Sequence, residues 1–381
     1  MRISFPSWIR NITGCLVFLV AATAICAAQE PFPGEPPPQQ QPAQQQPQSE
    51  PAPPPPQQPQ RNPLPPPLSD DQFATPTIRV NTSVVLVPTL VEKSSGDVVY
   101  TLKSKDFTLL DNGVKQDIRV DEDQDSQPLS LVICMERGRD AALEFDKFAR
   151  LGPLLDLFLG EGHGEAALVV FDSRPIFLAG FAKDTSEISS DLQQLPQGDG
   201  GAAIMDAVGF SVDLLEHQPP DHRRVLLLIS ETRDHGSRHF NIPQLVERIG
   251  TSNTLVLSLA FAPSKAEIID WGKGNTNGGN ELNILAPLVM TINAMRRNTP
   301  KTLASMSGGE YGSFTRDKGF EDRVAEVANH SRNRYVLSFR PTDPTPGLHS
   351  IKVSLTQDYS AHVVARASYW AVKDAEPNPS Q

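Results

Sequence analysis

Short apolar runs alternate with helical patterns through residues 128–345. The helical segments repeat apolar side chains every three or four positions, as in residues 145–158, 204–215 and 320–327. A strand whose residues are all apolar has no face for water, so it fits a parallel sheet covered on both sides. The apolar runs are residues 131–135, 167–171, 225–229, 255–259 and 335–339. This alternation predicts a doubly wound, mostly parallel α/β sheet.

In residues 77–127 the apolar side chains recur at the shorter spacing that is typical of β-strands. Apolar and polar residues alternate there, and Asn112-Gly113 separates two such runs. Asn-Gly favours a two-residue hairpin turn because both positions must adopt a positive φ. We therefore predict a small all-β, sandwich-like module at 77–127, ahead of the α/β domain at 128–345. Residues 346–372 predict a C-terminal β-hairpin extension of that domain.

The first 28 residues have the pattern of a secretory signal peptide. Arg2 and Arg10 provide a basic start, and the apolar run that follows ends in small residues at Ala28. We therefore expect a secreted or periplasmic protein without a membrane span in its mature chain, while retention of the segment as an anchor stays open. Residues 29–76, which are mostly Pro and Gln, predict a disordered linker because they cannot form a core. Residues 373–381 predict a disordered tail.

Charge and cysteine content narrow the class of function. The chain has 34 Lys and Arg against 45 Asp and Glu, a formal net charge of -11. Nucleic-acid binding requires clustered basic side chains, so we expect no nucleic-acid partner. Cys15 and Cys26 lie in the predicted signal peptide, and Cys134 lies in an apolar run. The mature chain is therefore expected to have no disulfide and a buried, unreactive Cys134.

Several motifs together resemble a known family. A strand followed by a polar loop, a glycine-rich loop before a helix, and a second strand that ends in an acid are similar to the von Willebrand factor type A (VWFA) domain. The likeness is narrower to VWFA-related exported proteins of acidobacteria, in which a β module precedes the domain. The segments that carry it are residues 106–118, 128–132, 200–207, 303–309 and 335–339. The resemblance implies a VWFA or Rossmann-like fold and a role in protein binding or cell adhesion.

The resemblance also implies a metal-ion-dependent adhesion site at the carboxyl ends of the strands. The family's Asp-x-Ser-x-Ser motif falls on Glu136, Gly138 and Asp140. The family's loop Thr falls on Ala202, and the Asp after the later strand falls on Glu231. Every position departs from the pattern, and two of them lack a side-chain oxygen. Because Mg²⁺ requires near-ideal octahedral oxygen ligation, these departures predict a degenerate site.

Two alternatives remain for these loops. Arg137, Arg139 and Arg233 stand beside the acids, so internal ion pairs would leave a site without a metal or other cofactor. Glu136, Asp140 and Glu231 could instead hold Ca²⁺, which tolerates looser geometry than Mg²⁺. The predicted partner-binding residues are the loop residues Glu136, Arg137, Gly138, Arg139, Asp140, Ala202, Glu231 and Arg233.

Other chemical motifs are weaker. His235 and His239 are four residues apart beside Asp234, but Gly236 argues against a shared metal on a helix. His163 lies in a polar turn. Gly198-Asp199-Gly200-Gly201 precedes a helix and resembles an anion-binding loop only loosely. The sequence contains no Gly-x-Ser-x-Gly elbow and no Gly-x-x-x-x-Gly-Lys phosphate loop.

The sequence thus favours an exported, non-enzymatic protein that binds a protein partner in adhesion or scaffolding. A cation-dependent adhesion protein of the same architecture is the first alternative. A hydrolase of unknown substrate is the second, and it lacks a recognisable set of nucleophile, base and orienting residue. The sequence does not identify the partner, the biological process or the oligomeric state.

Overall fold

A computed structural model describes residues 84–121, 127–138, 141–160, 164–261, 286–314, 319–343 and 345–372. The predicted signal peptide, the Pro/Gln segment and the C-terminal tail lie outside these residues, as does His163. No helix in the described ranges combines the length and apolar character needed to cross a membrane.

The described residues form strands β1–β14 and helices α1–α8. The strands are β1 Val85–Lys93, β2 Phe107–Asp111, β3 Val114–Lys115, β4 Ile118–Asp121, β5 Leu129–Glu136, β6 Gly164–Phe171, β7 Pro175–Ala182, β8 Arg223–Ser230, β9 Leu255–Phe261, β10 Tyr311–Phe314, β11 Tyr335–Phe339, β12 Gly347–Leu355, β13 Ala361–Ala365 and β14 Ser368–Ala371. The helices are α1 Phe145–Phe148, α2 Leu151–Leu159, α3 Ser186–Gln193, α4 Ile204–Glu216, α5 Ile242–Thr251, α6 Ala286–Arg297, α7 Thr299–Ser307 and α8 Phe320–Arg332.

The central sheet has six strands in the order β10-β9-β8-β5-β6-β7. Its strands are parallel except for β7, which runs antiparallel to β6 at one edge. Strand β5 is buried along its whole length and contributes alternate side chains to two cores. Leu131 and Ile133 pack toward α1, α2 and α8, whereas Val132 and Cys134 pack toward α4, α5 and α7. The sequence prediction of a doubly wound α/β fold is confirmed.

Two four-stranded antiparallel sheets form a sandwich beside this domain. Their strand orders are β13-β1-β11-β4 and β14-β12-β2-β3. Side chains from both sheets share one core, for example Val87 of β1 against Leu109 of β2 and Tyr369 of β14. The predicted Asn-Gly hairpin joins β2 to β3, and Asn112 and Gly113 have φ of 47° and 84°. The sandwich is therefore built from both ends of the described chain.

One predicted strand lies in a different sheet from the one expected. Residues 335–339 form a strand, but β11 pairs antiparallel with β1 and β4 of the sandwich and does not extend the parallel sheet. The expectation that this run belongs to the parallel sheet is wrong, because a sandwich core makes a strand as apolar as a buried parallel strand.

The C-terminal segment also differs from the expected single hairpin. Strand β12 pairs with β14 and β2, whereas β13 pairs with β1 in the opposite sheet. The second half of the predicted hairpin is therefore divided, because β14 pairs with β12 as expected while β13 belongs to the opposite sheet. Local alternation predicts a strand but does not specify its partner.

Candidate functional site

Three acidic side chains stand at the carboxyl ends of adjacent parallel strands. Glu136 is the last residue of β5, Asp172 follows β6, and Glu231 follows β8. Because β5 lies between β6 and β8, the three side chains lie at one edge of the sheet. This edge is where doubly wound folds bind ligands. We call the loops around it the crevice.

The Glu136 carboxylate forms a hydrogen bond with the backbone inside the crevice. Its side chain is buried, with 2% of the residue exposed. Its Oε2 accepts a hydrogen bond of 2.8 Å from the backbone N–H of Glu231. The carboxylate thereby ties the end of β5 to the loop that follows β8, and burial of the charge makes this hydrogen bond necessary.

Arg137 and Asp172 form the central ion pair of the crevice. Arg137 Nη2 lies 2.5 Å from Asp172 Oδ2, and the side chains are 12% and 8% exposed. Two backbone hydrogen bonds fix the position of Arg137. Its N–H donates to the Phe171 carbonyl and its own carbonyl accepts from the Gly198 N–H, both at 2.7 Å. An arginine therefore neutralises a crevice acid internally, although the acid is Asp172, which the sequence analysis had not selected.

The glycine-rich loop contains an acidic residue, Asp199, that binds backbone N–H groups of the crevice. Asp199 Oδ1 accepts hydrogen bonds from the backbone N–H groups of Gly201 at 2.8 Å and Ser173 at 3.1 Å. Burial opposes ionisation of Asp199, but these hydrogen bonds and the Arg137 charge outweigh it and lower the pKa of the carboxyl. The backbone donors that would have bound a phosphate are occupied by a side chain of the loop itself.

Backbone segments approach closely at Gly138. A Cβ placed there would lie 2.7 Å from the Gly201 carbonyl oxygen and 3.2 Å from Glu136 Oε1. The position that carries a serine in the family motif therefore has no room for a serine side chain. Gly201 is equally crowded, because its Cβ would lie 2.2 Å from Ser173 Oγ.

The remaining predicted residues lie around the same edge. Ala202 is fully buried and exchanges backbone hydrogen bonds of 2.8 and 2.9 Å with His235. Glu231 forms an ion pair with His235, whose side chain is 53% exposed. Arg233 is exposed to solvent. Arg139 and Asp140 lie outside the described residues, so only six of the eight predicted positions can be placed.

The loop after β8 is organised by an acid that the sequence analysis missed. Asp206 on α4 is 1% exposed and accepts backbone hydrogen bonds from Arg238, His239 and Phe240 at 2.8 to 3.2 Å. His239 Nδ1 lies 3.0 Å from the same carboxylate. His239 is thereby fixed to Asp206 while His235 contacts Glu231, so the two histidines do not converge on one metal.

The described residues of the crevice do not fit an octahedral Mg²⁺. Gly138 and Ala202 have no side-chain oxygen, and Glu136 Oε2 is bound to a backbone N–H. The Arg137 guanidinium already supplies a positive charge to Asp172. Mg²⁺ needs oxygen ligands at about 2.0–2.1 Å in regular geometry, and the placed motif positions provide no hydroxyl, while Glu136, Asp172 and Glu231 already have hydrogen-bond or ion-pair partners.

Two signals in the sequence could have identified the missed acids. Asp172 immediately follows a run predicted as a buried strand, which is the position that also selects Glu136 and Glu231. Asp199 lies inside the glycine-rich loop, where a short side chain can reach nearby backbone N–H groups. Neither residue corresponds to a position of the family motif, which explains why comparison with that motif alone passed over them.

The strand order, the antiparallel edge strand and the crevice at the carboxyl ends are those of a doubly wound, Rossmann-like α/β fold, as the resemblance to VWFA domains implies. No family model matches the chain, and no curated protein matches it.

Solved structures similar to this chain are VWFA-type domains and related proteins. The vWF domain of the type V pili tip protein Mfa5 from Porphyromonas gingivalis is 9% identical, with 53% of this chain and 94% of that chain covered and a TM-score of 0.38. BatB from Bacteroides thetaiotaomicron is 14% identical, with 54% and 99% covered and a TM-score of 0.36. Proximal thread matrix protein 1 from the mussel byssus is 12% identical, with 57% and 49% covered and a TM-score of 0.36. These values carry no argument about what this chain binds.

Proposed function

We propose that this protein is an exported, non-enzymatic adhesion or scaffolding protein whose crevice binds a protein partner without a divalent cation. The observation that carries the proposal is the ion pair between Arg137 and Asp172, at 2.5 Å in the centre of the crevice. A guanidinium that already neutralises the acid removes the electrostatic reason for a metal ion. Binding would then depend on the shape and charge of the loops.

The surface next to the crevice supports recognition of a protein. An open groove of about 670 Å³ is lined by apolar residues such as Met205 and Ile292 and by polar residues such as Arg238 and Arg296. A mixed apolar and polar surface of this kind is typical of contacts between proteins. Asp206 anchors the loop that forms one wall of this groove, so the wall is rigid. A rigid wall reduces the entropy lost on binding.

The non-enzymatic part of the proposal rests on the arrangement of possible nucleophiles. Ser130 Oγ lies 2.8 Å from His222 Nδ1 and 3.0 Å from Glu165 Oε1. This set does not form a catalytic triad, because the histidine and the acid contact the same hydroxyl and the acid does not orient the histidine. Ser130 is also fully buried, so no substrate carbonyl can reach it.

Affinity capture tests the proposal. The mature protein is used as bait on the envelope fraction of the source organism, with and without EDTA, and bound proteins are quantified. We expect one partner to be retained equally in both conditions. The variant Arg233→Glu, which reverses an exposed charge on the crevice rim, should reduce its retention at least about tenfold, the loss expected for an interface contact worth 1.4 kcal/mol.

A matched charge reversal controls for general electrostatic effects. Lys352 is exposed on β12 of the sandwich, so Lys352→Glu changes the net charge equally but leaves the crevice intact. This variant should bind the partner as the unmodified protein does. Loss of the partner in EDTA, or an equal loss in both variants, would contradict binding by a cation-independent crevice.

A further inference from the structure

A second group of charged side chains joins the sandwich to the α/β domain. His330 lies near the end of α8 and is 2% exposed. Glu310 precedes β10, at the opposite end of the parallel sheet from the crevice, and Glu92 belongs to β1 of the sandwich. Because β1 and α8 belong to different parts of the fold, the ion pair between Glu92 and His330 crosses from one to the other. We call this group the joint.

Each nitrogen of the His330 ring faces a different carboxylate. Nδ1 lies 2.9 Å from Glu310 Oε1, and Nε2 lies 3.6 Å from Glu92 Oε2. A neutral imidazole carries one N–H, so it could donate to only one of these acids and would present a lone pair to the other. The protonated ring donates a hydrogen bond to Glu310 and places its positive charge beside Glu92 at an ion-pair distance. The geometry therefore favours the imidazolium.

Further charged side chains contact the two acids that face the ring. Arg334, which follows α8, lies 2.6 Å from Glu310 Oε2 and also donates to the Gly308 carbonyl at 2.7 Å. His362 on β13 forms an ion pair with the other oxygen of Glu92. With His330 neutral and His362 set aside, two carboxylates face one arginine. Protonation of His330 makes the numbers of positive and negative charges equal.

The same residues are less suited to a metal ion. Glu92, Glu310 and His330 are the one set of three potential metal ligands that lie close together in the described ranges. The two carboxylates, however, approach opposite nitrogens of one ring, whereas a metal ion binds a single nitrogen of a histidine. Arg334 is already paired with Glu310 and would stand beside the ion.

We infer that His330 holds the sandwich and the α/β domain together as a protonated imidazolium, and that the joint loosens when the ring loses its proton. Loss of the proton removes the attraction between His330 and Glu92 and leaves the Nε2 lone pair facing that half-buried carboxylate, which is repulsive. The sandwich would then separate more readily from α8. A change of external pH would thus alter how firmly the two parts of the protein are connected.

The direction of the pH effect follows from the contacts. Burial opposes protonation of His330, but the hydrogen bond and charge of Glu310 and the charge of Glu92 outweigh it and raise the pKa of the ring above 6.5. A proton held more tightly by the folded chain than by the unfolded chain stabilises the fold fully below the unfolded pKa of about 6.5. That stabilisation is lost as the pH rises through the higher pKa of the folded chain.

Hydrogen exchange with mass spectrometry tests this inference at the joint itself. Protection of β1 and α8 is measured from pH 6 to 9 in the full chain and in His330→Gln, after correction for intrinsic exchange rates. We expect protection of these two elements to fall with pH in the unmodified protein, by at most about tenfold per pH unit for one proton. The fall should be absent in His330→Gln. Strand β5, which does not contact the joint, should lose less protection than β1 and α8 as the pH rises, because it opens only when the whole fold unfolds.

Further variants separate the alternatives. Glu92→Gln should reduce the pH dependence while it keeps the shape of the side chain, and His362→Gln should leave the dependence largely in place. His349 also has a raised pKa in the sandwich, through Asp111, but its contribution is common to all variants and cancels in the comparison. Equal pH dependence in His330→Gln and the unmodified protein would contradict the inference. Zn²⁺ at pH 8 that raises protection of the joint only when His330 is present would also overturn it, because the ring would then be a ligand.

Discussion

The crevice and the joint use the same residue types at opposite ends of one sheet. The crevice pairs Arg137 with Asp172, and the joint pairs Arg334 with Glu310. In the joint, Arg334 and His330 are each 3% exposed at their side chains, and their partners come from separate parts of the fold. In the crevice, neighbouring residues such as His235 reach solvent. Asp172 is 8% exposed and Glu310 is 15% exposed, so the acids do not separate the two clusters, whereas Arg137 is 12% exposed and Arg334 only 3%. Burial of the cation and the number of elements connected therefore distinguish a charged cluster that fixes the fold from one that is open to a partner.

A second buried arginine also connects the sandwich to the α/β domain. Arg366 lies between β13 and β14 and donates to the backbone carbonyls of Leu86, Gly250 and Ser368. Gly250 belongs to the last turn of α5, so this contact also crosses from the sandwich to the α/β domain. Burial lowers the pKa of Arg366 to about 10. The charge is accepted at this position because carbonyl dipoles at a helix C-terminus favour a cation.

The largest effect on stability is expected for Arg334→Ala. The substitution leaves Glu310 buried without its arginine and frees the Gly308 carbonyl. Removal of one partner of a buried ion pair costs about 3–5 kcal/mol. Urea unfolding at pH 7 measures the loss, and Arg334→Lys should recover part of it. A loss below about 1 kcal/mol would show that the joint does not hold the two parts together.

A smaller effect is expected for Arg137→Ala in the crevice. Asp172 would lose its cation, but solvent can approach more easily than at the joint, so we expect a loss of about 2 kcal/mol. The same unfolding experiment compares the two arginines directly. Equal losses for Arg137→Ala and Arg334→Ala would contradict the distinction between an open crevice and a buried joint.

The close approach of the Gly201 carbonyl to Gly138 predicts a third, intermediate loss of stability. Gly138→Ser would force its side chain against the Gly201 carbonyl, with an expected cost of about 1–3 kcal/mol, as for overpacked sites. Gly200→Ser is the matched control, because a Cβ at Gly200 meets nothing within 4 Å. Thermal unfolding should show a clear decrease for Gly138→Ser and almost none for Gly200→Ser. Stabilisation of Gly138→Ser by Mg²⁺ would show that the crevice still fits the ion.

The smallest effect is expected at an exposed ion pair. Arg150 and Glu321 lie 2.8 Å apart, but their side chains are 65% and 40% exposed. Exposed pairs contribute about 0.2–1 kcal/mol, so Arg150→Ala should change the unfolding free energy by no more than about 0.5 kcal/mol. A larger change would mean that the distance between charges, and not burial, determines the strength of these pairs.

Much of the fold could be predicted from periodicity. The apolar runs of β5, β6, β8 and β9 and the spacing in α4 correspond to elements of the structure because burial on two faces or on one stripe imposes those patterns. The partners of β11 and β13 could not be predicted, since pairing depends on contacts between residues far apart in the chain. Their apolar character is equally compatible with either sheet.

The candidate site was predictable in position but less so in detail. Glu136 and Glu231 could be placed together because each follows a predicted strand of one sheet. The partner of Arg137 could not be inferred, because the choice among Glu136, Asp172 and Glu231 depends on loop geometry within a few ångströms. The joint was not predicted at all. Glu310 is close in sequence to His330 and Arg334, but Glu92 is more than two hundred residues away from all three, so nothing local brings it to them.

Calorimetric titration of the mature protein with Mg²⁺, Mn²⁺ and Ca²⁺ tests the central claim most directly. Glu136→Ala serves as the control, since Glu136 is the crevice carboxylate that the family motif assigns to metal binding. We expect no heat of binding at micromolar to submillimolar ion concentration in either protein. Heat with micromolar affinity that disappears in Glu136→Ala would contradict it, because a cation would then bind the crevice in spite of Arg137.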